Sequence, residues 1–468
     1  MPKCVQKNID GNWLVSGHIE ACILKLRCPT EGEYSNDKSR LENIDIVKLL
    51  LDSDCADGGI LKDEVSERPS IVLTPELSFG TPDFNTLDAL IKKYEHNLIF
   101  ICGFGFSAGS ALIEILNNPD VEGIWDAAPQ DGKKYNGGWV WIKDGNNVQS
   151  YIFLKNYFEQ TGEITVPNLK EGDCILRLEG DDIVIFPLVC ADLICNENNS
   201  PREKIFNSIE DAGISNKKLL VTGSLLNSNS SSGHWKAAIG DLLEKIKPSN
   251  GRLLLSNCIN PAPVREEETD KWRCPSGAFQ HREGCKRPQK ALPNLRYVDD
   301  TKFAGLVLRN TVIGAAFGKL KWTNNASEGL HAFSECAQYI WHSQKLKLCD
   351  GNCEADELYR FLLRNKGYML HDIVDAKEAN KNVADREIAA LLIELCPQSN
   401  SRTRKVAREI FQKCLKGIVK SIPCCPDCIY EDGKNLVSAI TVIKLLQMAI
   451  DAALFPDLPQ SDKPMSLT

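Results

Sequence analysis

IVIFPLVCADL, residues 183–193, is the stretch on which the reading turns. Ile183 to Val189 reads as a strand, and Cys190 follows it directly. A thiol at the C-terminal end of a strand stands where layered α/β folds gather their reactive side chains. Asp192 is placed to brace the turn, and Ser200-Pro201 then reads as an N-cap with a first-turn proline opening a helix.

The same alternation runs on both sides of this strand. Toward the N-terminus, Ile19 to Leu26 reads as a strand, and Leu41, Ile44, Val47 and Leu51 fall on one helical face. Ser70 to Thr74 returns as a buried strand, completing a β-α-β opening. Phe84, Leu87, Leu90, Ile91 and Tyr94 form a second helical stripe before the apolar run Leu98 to Cys102. Trp139 to Ile142 and Val148 to Leu154 pair as a hairpin around Asp144-Gly145. Toward the C-terminus come strands at Leu219 to Thr222, Leu253 to Asn257 and Ala304 to Val312, with a helix near Trp235 to Ile246. Helices covering a sheet are expected over residues 1–330, and a mainly helical region, for partner binding or assembly, over 331–468.

A cysteine that attacks an amide or nitrile needs a base, a donor set for the developing anion, and a rigid mount. Glu76 follows the strand IVLTP, where partial burial would make its carboxylate a usable base. Lys155 ends the hairpin in SYIFLKNYFEQTGE, where an ammonium can steady a thiolate and an oxyanion. Glu163, eight residues on, is placed to hold that lysine, and the Ala191 N–H to donate to the oxyanion.

PELSFG at Glu76, KYNGGWVWIKDGNNVQSYIFLK ending at Lys155, TGE at Glu163 and VCADL at Cys190 together resemble the nitrilase superfamily in order and spacing. The likeness covers roughly residues 15–320, with weaker echoes in WKAAIGDLLEKIKPSNGRLLLSN and CPSGAF. It implies an α/β fold in a four-layer α-β-β-α sandwich, a Glu-Lys-Cys triad with a second glutamate, and a homo-oligomer built across the helical face. It also implies a carbon-nitrogen hydrolase acting on a small-molecule amide or nitrile through a thioester, with no cofactor. Ala191 departs from the pattern, which usually has an aromatic residue there, so the pocket wall differs while the backbone donor stays.

Bulk composition sets limits on other classes. A formal net charge of -8 argues against nucleic acid as a partner. The N-terminal MPKCVQKNID lacks a signal peptide's apolar core, so the 19 cysteines suit a reducing cytoplasm better than a disulfide framework. The apolar stretch Leu436 to Phe455 is broken by Lys444, Gln447 and Asp451 and reads as a buried helix with no membrane partner. A second amphipathic helix is expected over Lys405 to Ile422.

Several further signals have two readings. Cys349, Cys353, Cys425 and Cys428, with Cys424 beside them, are either thiolate ligands of a structural zinc or ordinary reduced cysteines. Gly103, Gly105 and Gly109 mimic a dinucleotide loop, but no acidic strand end follows at the right distance. The basic stretch Lys271 to Arg296 is either a solvated loop or a contact for an anionic group. His234 would make Cys190 half of a cysteine-histidine pair, against its plainer role in packing or capping. The competing class is a nitrilase-like module that is non-catalytic or conditionally active, serving a protein partner through residues 331–468.

Overall fold

The computed structural model describes residues 2–348 apart from 12, 14–16, 27–37, 52–68, 159–165, 195–199, 211–215, 227–231, 259–275, 284–294, 309–313, 323–332 and 343–344. The described residues belong to one compact unit, Met1–Pro261 with Asp270–Cys349.

Two sheets dominate it. Numbered in chain order, the strands of the first lie side by side as β1 (Lys3–Asn8), β9 (Cys174–Glu179), β10 (Ile183–Val189), β11 (Lys218–Leu225), β12 (Arg252–Asn257), β13 (Ser276–His281), β15 (Phe303–Leu308) and β14 (Leu295–Asp299). The second runs β18 (Lys345–Leu348), β17 (Phe333–His342), β16 (Gly314–Lys321), β2 (His18–Lys25), β3 (Ile71–Leu73), β4 (Leu98–Ala108), β6 (Lys134–Asp144), β7 (Asn147–Leu154) and β5 (Val121–Ile124), with β8 (Leu169–Lys170) beside β6. The helices are α1 (Lys38–Leu51), α2 (Phe84–Lys93), α3 (Gly109–Ile115), α4 (Pro201–Ile209) and α5 (Ser232–Ile246).

Strand alternation sorts the layers, because successive side chains point to opposite faces. Ile71, Leu73, Ile99, Ile101, Val140 and Ile142 turn inward and share a core with β9 and β10 of the facing sheet. Their neighbours Val72, Phe100, Trp139 and Trp141 turn outward, under α1 and α2. On the far side, Trp235, Ile239 and Leu242 of α5 pack onto the first sheet. The order is α-β-β-α, as expected.

Two sequence expectations change. Leu41 is 57% exposed, so the buried side of α1 runs through Ile44, Val47 and Leu51 with Ile46 and Leu50 instead. The sheet does not stop at residue 330: β17 and β18 extend it, and the unit closes at Cys349, because β17 completes the hydrogen bonding of the edge that β16 would otherwise leave open. Gly103 and Gly105 lie within β4 and form no phosphate loop.

Gly103 has a packing role instead. It faces inward, and a Cβ there would sit 2.4 Å from Glu76 Cα and 2.7 Å from the Pro75 carbonyl oxygen. Both are backbone atoms that cannot swing aside, so Gly103→Ala is expected to lower stability by about 1–3 kcal/mol through overpacking. Thermal unfolding checks this; an unchanged melting temperature contradicts the close approach.

Candidate active site

Glu76 lies just beyond the C-terminal end of β3, and its backbone N–H donates to Leu225 O of the facing sheet at 3.3 Å. Its side chain is 2% exposed, and so is that of Lys155, whose Nζ donates to Glu76 Oε1 at 2.8 Å. Asn136 Nδ2 donates to the same oxygen at 2.7 Å. Lys155 is the residue after β7, and its N–H continues the β6–β7 ladder onto Asn136 O at 2.9 Å. Away from water such a pair interacts far more strongly than at a surface, and it is correspondingly costly to break.

Cys190 follows β10 and opens the turn Cys190–Leu193 with a φ of 40°, and Leu77, next to Glu76, has a φ of 57°. Among the described residues the other two non-glycine positions with positive φ are both asparagines, which tolerate that region. Each such residue costs on the order of 1–3 kcal/mol and persists only where its surroundings impose it. Here the two fall on the thiol and beside the carboxylate.

Three short links draw these parts together. Cys190 Sγ donates to Leu226 O at 3.6 Å, one residue from the carbonyl that takes the Glu76 N–H. The Asp192 carboxylate accepts the N–H of Asn156, the residue after Lys155, at 3.0 and 3.3 Å. Cys258 donates its N–H to Leu225 O at 3.2 Å and its thiol to Glu76 O at 3.2 Å. Asp192 therefore does more than brace its own turn: it couples the cysteine's turn to the lysine's strand.

Among the described residues, three other buried thiols, those of Cys22, Cys102 and Cys174, are poor rivals as nucleophiles. Burial pushes Cys22 and Cys102 well above the ordinary thiol range and Cys174 up to about 11, so all three stay protonated at neutral pH.

Two long sheets under flanking helices give the layer order that the motifs implied. The fold is the four-layer α-β-β-α sandwich that the resemblance implied.

No family model matches the sequence, and no curated protein does. Among solved structures, the chain is similar to the glutamine-dependent NAD+ synthetase from Acinetobacter baumannii, at 12% identity and a TM-score of 0.35 over 76% of this chain and 52% of that one. It thus spans about half the synthetase's length. It is also similar to an amidase from Nesterenkonia sp., at 11% identity and 0.33 over 64% of this chain and 94% of that one. Saccharomyces cerevisiae Nit3, a member of branch 10 of the nitrilase superfamily, matches at 12% identity and 0.32 over 56% and 82%. What the site can do follows from its own atoms.

Within this sandwich, Asn136 is the residue that motif reading passed over. Its signal was present: counting both strands back from the Asp144↔Asn147 pair puts Asn136 opposite Lys155. Glu163, Cys349, Cys353, Cys425 and Cys428 lie outside the described residues, as do the side chain of His234 and most of the basic stretch 271–296. Among the described residues no cluster of His, Cys, Asp and Glu could hold a metal ion, and no helix is long and apolar enough to cross a membrane.

Proposed function

We propose that this chain is a cysteine-dependent carbon-nitrogen hydrolase of the nitrilase superfamily, cleaving a small-molecule amide or nitrile through a thioester on Cys190. The observation that carries this reading is the buried Glu76–Lys155 pair, linked through Leu225–Leu226 to a cysteine in a left-handed backbone conformation.

For an amide, Glu76 takes the thiol proton and the Cys190 sulfur attacks the carbonyl carbon. Lys155 and the Ala191 N–H steady the oxyanion of the tetrahedral intermediate. The carbon-nitrogen bond breaks as the protonated Glu76 returns its proton to the departing nitrogen, leaving ammonia or an amine and a thioester. Glu76 then takes a proton from water, hydroxide attacks the thioester, and a carboxylic acid leaves as the thiol reforms. Asn136 and Lys155 both donate to Oε1, which orients the carboxylate so that its second oxygen carries the proton. Glu163 is assigned the orientation of Lys155, with no proton of its own to move.

Ammonia release from a panel of amides and nitriles, with intact-protein mass spectrometry for an acyl adduct, tests the proposal. The expected adduct maps to Cys190 and vanishes, with all turnover, in Cys190→Ala. Equal turnover by Cys190→Ala and the wild type would falsify the mechanism, whereas a wild type that forms no adduct and turns over no substrate favours a non-catalytic role.

A further inference from the structure

The loop that follows Glu76 is gripped from its outer side by α1. Asn43 Nδ2 donates to Ser78 O at 2.9 Å, and Arg40 Nη1 donates to Asp83 Oδ2 at 2.8 Å. The same Asp83 oxygen accepts the Gly80 N–H at 2.8 Å. Both charged side chains are only 10% exposed. The fit is close, since a Cβ on Gly80 would lie 3.1 Å from Arg40 Nη1.

Stability alone is a poor reason for this arrangement. Asp83 occupies the N-cap position of α2, yet its carboxylate makes no capping bond to that helix and instead caps the preceding short turn, Thr81–Asp83, at the Gly80 N–H. A capping bond given up forgoes about 1 kcal/mol. A buried ion pair is itself weak evidence for stability, because desolvation offsets the attraction. What the pair does supply is geometry. Phe84, the next residue, stacks on Trp141 at 5.0 Å and meets Trp139 edge-on at 5.3 Å. Those rings belong to β6, the strand that carries Asn136. The loop is thereby fixed at both ends: at Glu76 by Lys155 and Asn136, and at Asp83 by Arg40 and the aromatic wall.

We propose that Arg40, acting with Asp83 and Asn43, is a positioning residue for Glu76. The clamp holds Leu77 in its left-handed conformation and keeps the carboxylate aimed at the site. This rests on reading Glu76 as the base that activates Cys190.

Alkylation of Cys190 by iodoacetamide at pH 7, followed by peptide mass spectrometry on the full chain, reads the thiol without needing the natural substrate. The wild-type thiol is expected to react faster than N-acetylcysteine. Arg40→Leu is expected to slow it at least about tenfold, since a displacement near 1 Å can cost that much or more. Arg40→Lys, which keeps one donor to Asp83, is expected to recover most of the rate, a rescue that a purely structural role does not require. Asp83→Asn, which retains an acceptor for Gly80 but loses the charge, is expected to fall between them and serves if Arg40→Leu does not fold. Unchanged alkylation in folded Arg40→Leu or Asp83→Asn, even with a lower melting temperature, overturns the clamp. A wild-type Cys190 no faster than N-acetylcysteine instead overturns the hydrolase reading, and the clamp with it.

Discussion

Lys155→Met is expected to lower amide turnover by about 10²–10³-fold, from the loss of an oxyanion donor. It is also expected to destabilise the fold by about 3–5 kcal/mol, the cost of leaving a buried charge without its partner. Methionine fills a similar volume, so packing changes little and the effect is electrostatic. The Glu76 carboxylate would keep the Asn136 donor, at 2.7 Å, but lose the ammonium at 2.8 Å in a site closed to solvent. The double variant Lys155→Met with Glu76→Gln removes both charges and is expected to regain much of the stability with none of the activity. Urea unfolding of the single and double variants decides this. If the single variant is as stable as the wild type, the pair is not the buried contact described above.

Glu76→Gln tests the carboxylate's own part in the chemistry. The amide oxygen of glutamine still accepts from Lys155 and Asn136, so the hydrogen bonds keep their shape while the basic carboxylate is gone. Turnover is expected to fall by about 10²–10⁴-fold, the range supplied by a general base. Stability is expected to drop by about 3–5 kcal/mol here as well, because the buried Lys155 ammonium loses its counter-charge. Single-turnover kinetics should show both formation and hydrolysis of the acyl adduct slowed, because the same carboxylate serves both steps. A variant that acylates at the wild-type rate would remove Glu76 from the first step.

Much of the site was legible because reactive residues at strand ends leave local marks. Cys190 closes an apolar run, Glu76 follows another, and Lys155 ends a hairpin whose Asp144-Gly145 turn fixes its register, with Gly145 at a φ of 56°. The same register contains Asn136, which motif matching overlooked because its contact with Glu76 spans 60 positions in the chain. Arg40 and Asp83 were invisible for a similar reason: alone, one is an ordinary helix cation and the other an ordinary N-cap aspartate. The two errors at α1 and residue 330 also come from context, since Leu41 satisfies a helical stripe yet faces outward, and β17 and β18 were masked by a tail of helical composition.

By itself, the sequence determined the alternation of strands and helices, the hairpin, and the position of each candidate reactive group relative to the end of its own strand. These depend on periodicity and turn chemistry within a few residues. Only the tertiary structure decided that Glu76 meets Lys155 and Asn136, that Asp192 reaches Asn156 across the sheets, and that α1 grips the Glu76 loop. Contacts between distant segments depend on how buried faces pack and on which buried polar atoms find partners, and no local pattern encodes that outcome.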